Sequence, residues 1–210
     1  MSTSRSLREL LVKRQPSPAR VVRRMPARAG GVVAWGMGAR TTVHRVGDAG
    51  DVSWKVAERT VAPDLAPYVL GLYGYRERAP SRLCRRELPA LETVVILQFG
   101  APIHVYDSGQ TQRARRSPAA FVAGLDDRFT LTEFAGEQRG LEIKLTPMGA
   151  RLLFGVPMYE LTGRLLELEA LTPEARGLVT RLVECAHWDA RFDLVEHLLR
   201  SKLRAPRTMR

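Results

Sequence analysis

The 210-residue chain contains no asparagine, only two cysteines and four histidines, and no apolar run approaching the length of a membrane span. Without asparagine there is no sequon for N-glycosylation. Cys84 and Cys185 stand about a hundred positions apart, with no CxxC and no histidine at ligand spacing. They therefore read as two buried structural thiols rather than a metal clip or redox pair. The longest apolar stretches, such as Val94 to Leu97, are strand-sized, well short of the roughly 18 residues a spanning helix requires. The N-terminus lacks an apolar segment followed by a small-residue cleavage site. These absences set the expectation of a soluble, cytoplasmic protein with no membrane partner.

Chemistry is equally sparse. A metal site on a barrel wall needs two closely spaced histidines, a carboxylate and a later histidine. Of His44, His104, His187 and His197, only His104 falls in the β-rich region. Zinc motifs such as HExxH and the GxSxG nucleophile elbow are missing, and Gly36–Met37–Gly38 lacks the rest of a phosphate loop. The expectation is a protein that is not an enzyme and has no cofactor, no metal site and no catalytic residues. Glu133, Glu137 and Glu142 read as the exposed faces of two strands, with a place in a pocket as the alternative.

The charge is abundant but uneven. The chain carries a formal +11. Residues 1–50 hold ten Lys/Arg against Glu9 and Asp48, a net of +8, which leaves +3 for the other 160 residues. Residues 1–50, rich in Ser, Pro, Arg and Gly, cannot bury enough apolar area to offset ordering entropy, and read as a basic, disordered leader. Within it a short helix over Ser6 to Arg14 has Leu7, Leu10 and Leu11 on one face. A solvated tail, an over-extended reading frame, a phosphate-binding arm and a transit peptide all fit this composition.

From Ser53 the texture is β. Ser53 to Thr60, Leu70 to Arg78, Thr93 to Phe99, Ile103 to Tyr106, Ala119 to Gly124, Phe129 to Phe134 and Leu141 to Leu145 form short runs split by Gly, Pro and Asp. Such spacing predicts an antiparallel barrel or sandwich. After Leu145 the period changes to 3.6. Thr146 caps a helix with Pro147 at its first position and Gly155 as its stop, and a second helical turn over Pro157 to Thr162 stops at Gly163. Thr172–Pro173–Glu174 reads as the start of a further helix, with Leu178 and Leu182 on its stripe. Asp189 reads as the cap of the last helix, which carries Phe192, Val195, Leu199 and Leu203 along one face. The fold class is thus α+β, with a β domain over 51–145, a helical region over 146–204 and a linker-like end at 205–210. The apolar stripe needs a partner: the β domain, the other helices, or a second subunit. Leu178, Leu182, Phe192, Val195 and Leu199 are the candidate dimer residues. Tyr73, Tyr75, Arg86, Gln98 and Phe99 are the candidate pocket residues for a small-molecule effector.

Several segments together resemble the N-terminal regulatory domain of AraC-type transcriptional regulators: APYVLGLYGYRE from Ala66, RELPALETVVILQFGAP from Arg86, FVAGL from Phe121, GLEIKLTPMGARLLFG from Gly140, VPMYELTG from Val156 and HWDARFDLVEHLL from His187. The resemblance implies a cupin-like sensor barrel, helices that make a homodimer, an unknown small-molecule effector, and DNA binding through a C-terminal helix-turn-helix domain. Here the sequence ends at Arg210, where that domain would begin. The expectation is the sensing and dimerising portion of a regulator, as a fragment, a truncated reading frame or an independent domain. The alternative is a stand-alone cupin-like binding protein or enzyme.

Overall fold

Two long strands organise the chain. In the computed structural model, which describes residues 41–49, 51–106 and 114–204, Val69–Glu87 forms β3 and Thr130–Leu145 forms β8, paired antiparallel along nearly their full length. Around this ribbon lie β1 (Thr41–Ala49), β2 (Val52–Arg59), β4 (Thr93–Gln98), β5 (His104–Tyr106), β6 (Ala114–Arg116), β7 (Ala120–Ala123) and β9 (Leu165–Glu167). The order across the sheet is β1-β2-β3-β8-β4-β7-β9, and β5 joins β8 and β6 on a branch. All pairings are antiparallel, and the path is open, with β1 at one end and β9 at the other. The sheet is antiparallel as expected, although its hydrogen-bonded path does not close into a barrel among the described residues.

The ribbon folds over itself. Its register slips between Ala79 and Leu83, where three residues of β3 oppose Ala135 of β8. Arg85 then reaches back to an ion pair with Glu77 on the same strand. In a straight strand, residues eight apart are about 26 Å from one another, so this contact requires a sharp bend. The irregularity is the bulge that allows it. The β3–β8 ends beyond the bend, with β5 and β6, form a second layer facing the first across a cleft.

Alternation sends two different sets of side chains to the two faces. Leu72, Val95, Leu97, Val122, Leu141, Ile143 and Leu145 point away from the cleft and are buried. The helices cover them: α1 (Pro147–Phe154), α2 (Met158–Leu161), α3 (Leu168–Leu171), α4 (Leu178–Glu184) and α5 (Trp188–Arg204). The main hydrophobic core therefore sits between sheet and helices. Each large side chain buried there contributes roughly 1.5–3 kcal/mol. The α1 ends are as the sequence dictates. The Thr146 hydroxyl accepts from the Gly149 N–H at 2.9 Å, Pro147 opens the helix, and Gly155 closes it at φ 70°. No helix among the described residues is long and apolar enough to cross a membrane.

Three expectations change here. Thr172 does not cap a continuous helix: Pro173–Ala175 is a single 3-10 turn, and α4 begins only after Gly177, whose φ of 70° breaks the backbone path. Residues 41–49, within the span read as a disordered leader, form β1 against β2; the helix expected over Ser6 to Arg14 and the end at 205–210 lie outside the described residues. Cys84 is exposed and Cys185 half-buried, so neither is the buried thiol expected.

Candidate functional site

The five residues assigned to a dimer seam are instead consumed within the chain. Leu178, Leu182, Phe192, Val195 and Leu199 are all buried, in one cluster with Val95, Leu97 and Ile143. Of the three partners the stripe could take, it takes the sheet. A polar latch reinforces this contact. Arg59 of β2, only 3% exposed, donates to Asp193 at 2.7 Å and to the Asp189 carbonyl at 2.9 Å, and lies over the Phe192 ring. Glu196, also buried, faces Arg59 at 3.9 Å and pairs with Arg200 at 3.0 Å. The space left between sheet and helices is a cavity of about 20 Å³ lined almost wholly by apolar side chains, too small for any organic ligand.

The cleft face is built differently. Register places Tyr75, Gly140 and Gln98 in one row across β3, β8 and β4. On one side of this row, Glu77 stands opposite Gln138; on the other, Tyr73, Glu142 and Ile96 are aligned. A Cβ on residue 140 would lie 2.5 Å from the Tyr75 hydroxyl and 2.7 Å from the Leu97 carbonyl oxygen. Glycine is thus what lets the Tyr75 phenol lie across the strand beside it. Gln98, 5% exposed, donates its amide nitrogen to the Ser117 hydroxyl at 2.8 Å and the Pro118 carbonyl at 2.7 Å. The carbonyl partner fixes the amide orientation, since only the nitrogen can donate.

Two polar atoms in this row are left over. The Tyr75 hydroxyl and the Gln98 Oε1 are shielded from solvent, and neither has a hydrogen-bond partner among the described residues. A buried polar group without a partner costs about 1–3 kcal/mol. Here two such atoms fall in one row of the sheet. Gln98 also lines a cavity of about 270 Å³ with Gly100, Arg116, Ser117 and Pro118.

Charge around the row is dominated by carboxylates. Glu77 is 2% exposed and bound by Arg85. Lys144 bridges Glu92 at 2.9 Å and Glu142 at 3.4 Å, and lies 5.7 Å from the Tyr73 ring centre. Thr132 donates to Glu87 at 2.9 Å. Burial pushes the Glu77 carboxyl above its ordinary range despite Arg85, and pushes Glu142 up despite Lys144. Burial, aided by the fields of Glu142 and Glu77, drives the Tyr75 hydroxyl far above the usual phenol value. It stays a neutral donor and acceptor at any physiological pH.

Of the five pocket candidates, the structure brings together Tyr73, Tyr75 and Gln98. Phe99 falls on the opposite face, where Arg191 lies 5.4 Å over its ring. Arg86 is exposed at the far end of β3, stacked 4.5 Å over Phe129. Both are corrections to the expected pocket, and both follow from strand alternation. The expectation that Glu133, Glu137 and Glu142 decorate exposed faces also fails in part. Glu142 lines the cleft, and Glu133 is buried among Arg82, Cys84 and Tyr106. Glu77 went unrecognised as a site residue because the bend that buries it has no local sequence signal. Among the described residues, no group of three His, Cys, Asp or Glu side chains could hold a metal ion.

Comparison with known proteins gives few relatives. No curated protein matches the chain. A predicted oxalate decarboxylase from Thermotoga maritima is 9% identical with a TM-score of 0.37, over 50% of this chain and 91% of that one. The 7S globulin of Momordica charantia is 12% identical with a TM-score of 0.34, over 49% of this chain and 32% of that one. Likeness at this level assigns nothing to the chain. The sequence itself is more informative: residues 58–167, which run from the end of β2 through β9, match a domain-family model, and the chain belongs to the DUF6597 family, a domain of unknown function.

Proposed function

We propose that this chain is the effector-sensing portion of an AraC-type transcriptional regulator: cytoplasmic, without enzymatic activity, acting as a homodimer, and reading DNA through a separate helix-turn-helix domain. The observation that carries the sensing role is the division of labour between the two sheet faces. One face and the helices make the apolar core, while the other gathers Tyr75, Gln98, Glu77 and Glu142 in a cleft, where the Tyr75 hydroxyl and the Gln98 Oε1 have no partner among the described residues. Buried hydroxyls without a partner also occur at Thr93 and Thr172 on the helix side. Stability alone would favour apolar residues in the cleft, and ligand sites characteristically place a few polar groups against an apolar wall, here Ile96 and Phe121. The regulatory part is supported by the ordered run of segments that resembles AraC-type sensor domains. Subunit pairing would draw on surfaces outside the covered stripe, among them the helix side that carries the exposed Val183.

A cupin-like binding protein with no role in transcription could use the same cleft, and experiment separates the two. Tagged protein in its own host should enrich specific promoter DNA, and its deletion should change the neighbouring transcripts. Size-exclusion chromatography with light scattering should give twice the chain mass. Unchanged transcripts with no enriched DNA overturn the regulatory reading, and a monomer at high concentration overturns the pairing.

A further inference from the structure

We infer that the cleft is built for an organic cation, a protonated amine or guanidinium group, held by Tyr75, Gln98 and Glu142; the inference rests on the cleft being the effector site proposed above.

The unfilled hydrogen-bonding positions ask for donors. Gln98 Oε1 can only accept, because the amide nitrogen is committed to Ser117 and Pro118. The Tyr75 hydroxyl accepts as well as donates. Glu142 lies one row away on the same strand face, and the Tyr75 phenol lies over Gly140 in the row beside it. A ligand bridging these positions meets three oxygen acceptors and a single available O–H donor. An ammonium, with three donors, or a guanidinium, with five, satisfies that set; a carboxylate or phosphate would find one proton, that of Tyr75, and would face the Gln98 and Glu142 oxygens unshielded.

Charge points the same way. Glu58, Glu77, Glu92 and Glu142 act on Tyr73 and Tyr75, with Glu87 beside Glu77 and Glu142; among the described residues the cations beside them are Arg85 and Lys144, and Arg116 lines the cavity at Gln98. Arg85 and Lys144 are already engaged with carboxylates. This is an acidic cleft inside a chain with a formal charge of +11. Carboxylates are costly in such a partly buried place unless a positive charge offsets them. The aromatic rings add to the match, since a cation over a tyrosine face is attracted by the ring quadrupole. Lys144 already occupies that position at Tyr73. A neutral polyol could fill the hydrogen bonds but would leave the charge uncompensated.

The test uses the purified full chain and four probes of similar size: agmatine and putrescine as cations, xylitol as a neutral polyol and succinate as a dianion. Titration calorimetry at low ionic strength should give saturable heat for at least one cation and none for succinate. Y75F and E142Q should each weaken that binding about tenfold, the scale of a lost hydrogen bond to a charged group. Circular dichroism identifies any variant that has lost its fold, and Q98L provides a third probe of the same row. No binding of either cation at millimolar concentration, tighter binding of xylitol or succinate, or cation binding that survives in folded Y75F and Q98L each overturns the inference. Cation binding without promoter enrichment in cells would leave this inference standing and remove only the regulatory reading. A promoter response to a neutral or anionic molecule would do the reverse.

Discussion

Arg59 and Asp193 are joined at 2.7 Å across 134 positions of sequence, and the arginine is almost completely enclosed while the aspartate remains accessible. The bond ties the last helix to the second strand. Replacing Arg59 with leucine removes the counter-charge facing Glu196, which is itself buried. Breaking a buried pair from one side costs about 3–5 kcal/mol, and Arg200, still bonded to Glu196, moderates it toward the lower end. We expect R59L to lower stability by about 3 kcal/mol in urea denaturation, with part of the loss recovered in R59L/E196L.

Two glycines should respond to alanine for different reasons. At Gly124 a new Cβ would collide with the Leu161 carbonyl oxygen, a backbone atom that cannot step aside without moving α2. At Gly163 the surroundings are open, and only the φ of 66° resists a side chain. We expect G163A to cost about 1 kcal/mol and G124A clearly more, on the order of 2–3 kcal/mol. Thermal denaturation of both variants should preserve that order; equal losses would contradict it.

The pH dependence of the cleft has a definite sign. Glu142 has its carboxyl raised above an ordinary 4.5 by burial, so the folded chain binds this proton more readily than the unfolded one. Its contribution is therefore fully present at low pH and lost as pH rises through the folded value. In E142Q nothing titrates at that position. The stability difference between wild type and E142Q should thus shift in favour of the variant as pH climbs from about 4.5, then level off above the folded-state value. Denaturation midpoints of both proteins at pH 4.5, 5.5, 6.5 and 7.5 would show it; a constant difference would refute it.

Cys84 makes a slow nucleophile despite its exposure. Burial of the sulfur and the neighbouring Glu133, whose Oε2 lies 3.6 Å away, hold the thiol protonated above its ordinary range. Because the thiolate is the reactive form, iodoacetamide should label Cys84 several-fold faster in E133Q than in wild type at pH 7.5. Mass spectrometry of the Cys84 peptide distinguishes it from Cys185.

Much of the architecture was legible in the sequence. The runs at Ser53 to Thr60, Thr93 to Phe99 and Ala119 to Gly124 match β2, β4 and β7 to within a residue or two, because one face of each packs on the core and alternates accordingly. Thr146, Pro147 and Gly155 bound α1 where capping chemistry places them. The long ribbon was harder to read. Phe129 to Phe134 and Leu141 to Leu145 looked like separate strands but are the two ends of β8, and β3 runs on to Glu87. The connecting residues of β8 set Glu137 and Arg139 on the solvent side and Gln138 in the cleft, so they lack the apolar alternation that marks a strand. Tyr75 and Gln98 were expected in a pocket by type and the structure sets them in one row, whereas the placement of Glu77 and Glu142 beside them depended on the bend and the register, which are long-range facts. The stripe on α5 was read correctly as apolar, but periodicity does not say which surface it meets.

The division of the sheet into a greasy face and a polar one also bears on how the chain is made. The strands that expose Leu72, Val95 and Leu141 leave the ribosome long before Phe192 and Leu199, the residues that cover them. Until α5 is synthesised, the nascent β domain presents a bare adhesive surface, the condition under which growing chains associate with one another or recruit chaperones. Slowed translation between β8 and α5 would lengthen that interval and lower the yield of folded protein without altering a single contact in the finished molecule.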